Sequence, residues 1–397
     1  MLAKNTQNII KWGILLMPAI FPLYFLRFEV WQLPFTVPEI LVYLLFAGFV
    51  LTGGMSKEFV RQIVREKIFW AAAVFFLAAV ISTFIVPESI ANIDGGYEKG
   101  FDSALGMLKG WIFMPLLYAL MVYSVKEKKI LVLSLLISGV WLSMWALWQV
   151  VSGDFVTIDG RASAFYESAN YLALYLGPIC VLWGVFFLKV SRVGHFLGLG
   201  LLAYLALFFS ASYAGWIAVF AGLGFYLILS KNFTRKFKVS AVAMVLLAFL
   251  IFGFSQVGSE KMEGFFEFEE RSSTSARLQI WDASISMIGD HPVLGVGLGQ
   301  FQVNYQWKMK DLYWDDTYEW LMPHPHNFFM GIWLNFGLLG LVAMVWLLIL
   351  AFSRVKSDFQ MMIAAALFAV IIHGCFDMPF MKNDLALQFW LLILLLL

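Results

Sequence analysis

The sequence predicts an all-α, polytopic membrane protein of about twelve transmembrane helices, with one long extracytoplasmic loop that carries short helices. Three observations predict it. Hydrophobic residues make up 61% of the chain and charged residues 13%, against roughly 45–50% and 25% in soluble domains. The apolar residues fall into successive runs of membrane-span length. The Lys and Arg residues gather in alternate gaps between those runs. A formal net charge of +1 gives no basic surface for nucleic acid. Cys180 and Cys375 both sit inside apolar runs, where small buried hydrophobes are expected rather than a disulfide.

A span needs about 20 apolar residues, fewer when charged side chains snorkel from its ends. Twelve runs qualify, near residues 12–27, 38–54, 69–86, 109–124, 130–151, 169–188, 196–211, 213–230, 239–256, 327–352, 359–376 and 384–397. The first follows Lys4 and Lys11, but Pro18, Pro22 and bulky aromatics stand where a signal-peptide cleavage site needs small residues. It is therefore expected to stay as the first span. A small-residue turn around Ser212 separates the seventh and eighth runs.

With the N-terminus in the cytoplasm, the inner gaps hold 17 of the 27 basic residues, among them Lys57, Arg61, Arg65, Lys126, Arg192, Arg235 and Arg354. Only four acids fall there: Glu58, Glu66, Glu127 and Asp358. The Lys/Arg bias of short loops sets topology, so the long polar stretch, about 257–326, is expected outside. The chain reads as a single integral-membrane domain, 1–397, with neither a soluble catalytic domain nor a tandem repeat.

Ionisable chemistry concentrated in the one long loop of a membrane protein marks a functional-site candidate. After a Ser/Thr cluster suited to N-capping, Leu278, Trp281, Ile285 and Ile288 recur at helical spacing, and Gly289 to Pro292 end the pattern. An amphipathic helix at the membrane interface is expected there. Arg277 lies on its first turn, four residues before Trp281; it suits either a phosphate oxygen or a lipid headgroup. Gly295, Gly297 and Gly299 lack the strand and helix of a nucleotide loop, and read instead as a tight turn pressed on the bundle. Between Lys308 and Pro323, Tyr313, Trp314, Tyr318 and Trp320 alternate with Asp311, Asp315, Asp316 and Glu319, which suits a sugar face or an interfacial belt. Those acids with His324 and His326 show no metal-ligand spacing, and no metal is expected. His326 and Asn327 follow Pro325 at the start of the tenth run, where an imidazole serves as a general base or as a helix cap. Asp159–Arg161, the Ser210–Tyr213 turn, and His373 with Asp377, expected to hydrogen-bond across one helical turn, face the same compartment.

Three stretches, GRASAFYESANYLALYL, ARLQIWDASISMIGDHPVLGVGLGQF and PHNFFMGIWLNFGLLGL, together resemble the O-antigen ligase and O-antigen polymerase family of bacterial membrane glycosyltransferases. The resemblance spans the chain in topology and about residues 155–380 in motifs. It implies a GT-C-like helical membrane fold in the bacterial inner membrane. It also implies metal-independent transfer of a glycan from an undecaprenyl-diphosphate-linked donor to a hydroxyl of a glycan, lipid or protein acceptor, with no cofactor. The family's loop arginine, matching Arg277, is thought to hold the lipid diphosphate, and its loop histidine, matching His326, to activate the acceptor. Trp281, Asn327 and Tyr213 join the expected substrate-binding set. The chain departs from the family after its Ser-x-Ser turn, where Tyr213 stands in place of a second arginine; Arg161 is the cation expected to replace it. A multi-span transporter or flippase is the alternative that twelve spans allow, although such proteins place ionisable groups near the bilayer midplane. A structural partner of an envelope-glycan complex would need no catalytic pair.

Overall fold

The computed structural model describes residues 2–30, 33–86, 96–189, 194–255 and 273–397. Arg192, Ser272 and the 257–272 portion of the long loop lie outside the described residues. Every expected span coincides with a helix. Asn5–Phe25, Lys99–Ser124, Lys128–Ser152, Ala169–Lys189 and Phe328–Ser353 are long and apolar enough to cross a membrane. Shorter apolar helices occupy Val37–Leu51, Lys67–Thr83, Gly198–Phe209, Tyr213–Leu229, Asp358–Gly374 and Asn383–Leu395.

The all-α expectation needs one correction. Helix α1 (Leu2–Leu16) tightens into a 3-10 segment, Met17–Phe25, where Pro18 and Pro22 remove amide donors. An antiparallel hairpin follows, β1 (Arg27–Val30) and β2 (Leu33–Thr36), with Arg27 opposite Thr36. Thr36 then caps α2 (Val37–Leu51) by accepting from the Glu39 amide. Next come α3 (Lys57–Val64), α4 (Lys67–Thr83) and α5 (Gly96–Met107). A π-helical turn, Leu108–Phe113, leads from α5 into α6 (Met114–Ser124). Then follow α7 (Lys128–Ser152), α8 (Ala169–Lys189), α9 (Gly194–Phe209), α10 (Tyr213–Leu229) and α11 (Arg235–Ser255).

Two helices of the loop come next, α12 (Ser273–Asp290) and α13 (Phe301–Leu312). The chain ends with α14 (Phe328–Ser353), α15 (Asp358–Gly374) and α16 (Asn383–Leu395). All of α16 from Asp384 to Leu395 is buried. A helix apolar on every side belongs in the centre of a bundle, and here α16 packs against α6, α15 and the 3-10 segment. Around it, α4 packs along α14, and α15 packs along α10 and α8.

The loop helices are locked to α14 by backbone hydrogen bonds. Gly337, at φ 69°, kinks α14 and breaks its helical hydrogen bonding. The carbonyl of Leu334 instead accepts from Val296 N, and Leu338 N donates to Val293 O. The freed backbone groups are thus satisfied by the glycine loop. Gly297 adopts φ 101°, and a Cβ there would collide with the Ile85 carbonyl, so only glycine fits. The tight turn expected of these glycines is present.

The face that α12 buries differs from the one its spacing suggests. Ile280, Ala283 and Met287 pack with Val296, Phe301, Tyr305, Met309 and Leu334, whereas Leu278 and Ile285 remain exposed, at 49% and 57%. A helix that packs on α13 and α14 with one stripe has a second apolar stripe left over, facing outward.

Candidate functional site

The site is built where α14 begins. Asn327 caps that helix: its side-chain oxygen accepts from Phe329 N and Met330 N, and its amide donates to Cys375 O. The helix therefore takes its cap from Asn327 and leaves the neighbouring imidazole unspent. His326 sits at φ 50°, left-handed and unusual for a residue with a Cβ, which points to a conformation imposed by its surroundings.

Its partner is Asp377, in the turn between α15 and α16. His326 Nδ1 lies 3.3 Å from Asp377 Oδ1, within ion-pair distance but in a geometry that closes no hydrogen bond to Nδ1 among the described residues, with side-chain exposures of 19% and 3%. The Met378 amide donates to the same carboxylate oxygen and fixes it. Burial would push the Asp377 carboxyl up, but the close approach of His326, aided by His324 and His373, holds it well below the usual carboxylate range. An anionic carboxylate this close to Nδ1 favours a proton on that nitrogen, which leaves Nε2 as the basic one.

His324 packs edge-on against His326, with ring centroids 4.5 Å apart. Its Nδ1 accepts from the His326 amide at 3.3 Å, and its Nε2 meets the Tyr171 hydroxyl at 2.9 Å. Burial, then the charges of His326 and Lys382, lower this imidazole to about 3 despite the opposing pull of Asp377, so it stays neutral. One ligand atom from each of His324, His326 and Asp377 lies within 4.8 Å of the others. Both nitrogens of His324 are already engaged, however, and a metal would displace those contacts.

The expected His373–Asp377 side-chain pair does not form. Only the backbone bonds, Asp377 N to His373 O at 3.1 Å, and neither ring nitrogen of His373 has a hydrogen-bond partner among the described residues. Four-residue spacing correctly marks one helical face, but the helix ends at Gly374, and the turn swings the Asp377 carboxylate toward His326.

Arg277 reaches this centre from α12. Burial lowers its guanidinium from the ordinary arginine value, the Asp377 carboxylate opposes that shift, and Arg161 adds to it. Arg277 thus lies within electrostatic reach of both Asp377 and Arg161. Trp281, one turn along, is half-buried against the α12–α13 cluster. Arg161 hangs on the loop between α7 and α8. Its Nε donates to Asp159 Oδ2 at 2.5 Å, and its backbone exchanges hydrogen bonds with the Thr157 hydroxyl. Burial raises the Asp159 carboxyl, but Arg161 outweighs it and holds the group below its ordinary value. The next residue, Ala162, donates its amide to Phe209 O at 3.1 Å. That bond ties the Arg161 loop to the turn that ends in Tyr213, the first residue of α10 after its Ser212 cap.

The aromatic and acidic run is pinned to α12 rather than gathered round the histidines. Tyr313 donates to Asp282, Gln279 bonds Asp316 O and Tyr318 N, and Tyr305 donates to Glu319 O. Trp314 and Trp320 stay exposed. Asp377's role as the partner of His326, and Tyr171's contact with His324, were not legible beforehand. The sequence cues for Asp377 were its four-residue spacing from His373 and its place as an acid between the last two apolar runs, two residues before Pro379.

Residues 197–345 match the family model described as O-antigen ligase. The match takes in Tyr213, Arg277, Trp281, His326 and Asn327, and stops short of Arg161 and Asp377. No curated protein matches the chain.

Proposed function

We propose that this chain, whose residues 197–345 match the O-antigen ligase family model, transfers a glycan from an undecaprenyl-diphosphate-linked donor to an acceptor hydroxyl in cell-surface polysaccharide biosynthesis. The reaction takes place on the outer face of the bacterial inner membrane. The observation that carries the reading is the His326–Asp377 contact beside the half-buried Arg277.

In this reading Asp377 orients His326, and Nε2 takes the proton from the acceptor hydroxyl as its oxygen attacks the anomeric carbon. The anomeric C–O bond breaks, and the diphosphate leaves with the electron pair. Arg277 stabilises that developing charge; its planar fork matches two phosphate oxygens and it stays protonated despite burial. Arg161 is the second cation, substituting from a neighbouring loop for the family arginine whose position Tyr213 occupies. Its loop is hydrogen-bonded to the turn that carries Tyr213, which supports the substitution. Trp281 and Tyr213 flank the donor, while Asn327 serves by capping the helix that starts just after His326. A lipid-linked donor needs no nucleotide site, and arginine supplies the charge stabilisation that a metal provides in other transferases.

The test is glycan transfer by purified protein in nanodiscs, supplied with lipid-linked glycan and acceptor. Transfer should be lost in His326→Ala and Arg277→Ala. Full activity in both variants would overturn the assignment of roles.

A further inference from the structure

A second polar cavity, of about 490 Å³, opens beside this centre, within the roughly 300–1,000 Å³ of small-molecule sites. The β1–β2 hairpin, the starts of α2 and α16 and the π-helical turn after α5 enclose it. Tyr24, Arg27, Glu39, Asp102, Glu167 and Lys382 line it. Glu39 is fully buried. Its Oε1 is held by Lys109 Nζ at 2.8 Å and by the Tyr43 hydroxyl at 3.1 Å, while Oε2 has no hydrogen-bond partner among the described residues. A buried carboxylate oxygen on a cavity wall with no donor costs free energy unless a ligand supplies one.

From this geometry we infer that the cavity is a subsite for a neutral saccharide, the glycan end of the acceptor. The inference rests on the transfer reading above and names the substrate chemistry on the acceptor side. Three carboxylates, Glu39, Asp102 and Glu167, are matched by three cations, Arg27, Lys382 and the Lys109 held on Glu39, which leaves no net positive charge. That balance disfavours a diphosphate, whose charge the Arg277 side of the centre suits. Carboxylates accept from hydroxyls, Arg27 and Lys382 donate to them, and Trp111 adds an aromatic side chain to the lining. The cavity also communicates with the imidazoles. Lys382 Nζ sits 4.1 Å from the centroid of the Tyr171 ring, whose hydroxyl bonds His324, and His324 packs on His326. Donor diphosphate and acceptor sugar would thus approach His326 from different sides.

Binding is measured on full-length protein in nanodiscs with a panel of neutral hexoses, N-acetylhexosamines and their disaccharides. Inorganic pyrophosphate serves as the competitor. At least one saccharide should bind, pyrophosphate should not displace it, and Arg277→Ala should bind it as wild type does. Asp102→Asn and Glu167→Gln, both exposed positions that do not threaten the fold, and Glu39→Gln should each weaken it about 10-fold or more, the worth of one hydrogen bond to a charged group. A panel without a binder, displacement by pyrophosphate, or unchanged affinity in all three variants overturns the subsite. If His326-dependent transfer occurs while the acceptor KM is the same in all three, the subsite fails and the transfer reading stands. If the three variants lose saccharide binding but no transfer is found, the transfer reading fails and the saccharide site stands.

Discussion

His326 Nδ1 faces Asp377 Oδ1 at 3.3 Å, bringing together two residues 51 positions apart from opposite ends of the α14–α15 helical pair. The carboxylate is anchored by the Met378 amide, and the backbone of His326 by the bond from its amide to His324 Nδ1. In the proposed transfer this pairing sets the tautomer of the base. Asp377→Asn should therefore lower kcat by about 10²–10⁴-fold, as loss of an orienting carboxylate does, while the KM of each substrate moves little. Combined with His326→Ala it should add almost nothing, because the two act as a unit. Single-turnover rates of the three variants check this, and additive losses would separate the residues.

The donor side turns on charge and shape. Arg277→Ala should cost about 10²–10³-fold in kcat, the scale of removing one preorganised donor to developing charge. Arg277→Lys should recover only part of it, since an ammonium keeps the charge but loses the bidentate fork. Arg161→Ala should raise the donor KM, and adding Tyr213→Arg to it should restore the constant if the two positions serve one phosphate. The hydrogen bond from Ala162 to Phe209 makes that exchange geometrically reasonable. Steady-state kinetics on the double variant decides it; no recovery would detach Arg161 from the donor.

Much of this architecture was legible in the residues, for reasons that are physical. Apolar runs of span length cannot hide in an amphipathic pattern, so each helix from α1 to α16 that the runs imply is present. Gly297 and its neighbours read as a docked turn because nothing around them could make a nucleotide loop. The hairpin was not legible: Arg27–Thr36 is too short and too mixed to alternate cleanly. Nor was the buried face of α12, since Leu278 and Ile285 have the same periodicity as Ile280 and Met287 and only the position of α13 chooses between them. His373 and Asp377 stand one turn apart in sequence, and the end of the helix between them is what redirected the carboxylate.

The docked glycine turn carries its own prediction. At Gly297 a side chain meets both a left-handed φ of 101° and the Ile85 carbonyl. Gly297→Ala should cost at least about 1–3 kcal/mol for the backbone alone. It should also loosen the hold of α12 on α14, so transfer should fall along with the thermal midpoint. Gly289→Ala, where a Cβ meets nothing within 4 Å, should leave both unchanged. Equal melting of the two variants in detergent would argue against the turn as the clamp between α12 and α14.

Acid should weaken the fold through His324 before it reaches Asp377. Burial and the charge of His326 hold the His324 imidazole at about 3, against roughly 6.5 in the unfolded chain. Between those values the unfolded state binds the extra proton, so stability falls as pH drops below about 6.5, by up to about 1.4 kcal/mol per pH unit from this one group. Above 6.5 both states are neutral and the contribution levels off. Asp377 acts in the opposite region. Its carboxyl, held low in the fold, stabilises at every pH above the unfolded value of about 4, and that contribution is lost only below it. Thermal midpoints in detergent should accordingly be flat from pH 7.5 to 6.5 and decline from 6.5 to 4.5. His324→Asn should start lower at pH 7.5, having given up the Tyr171 contact, and decline less steeply on acidification. An unchanged slope in that variant would show that His324 is not the proton acceptor responsible.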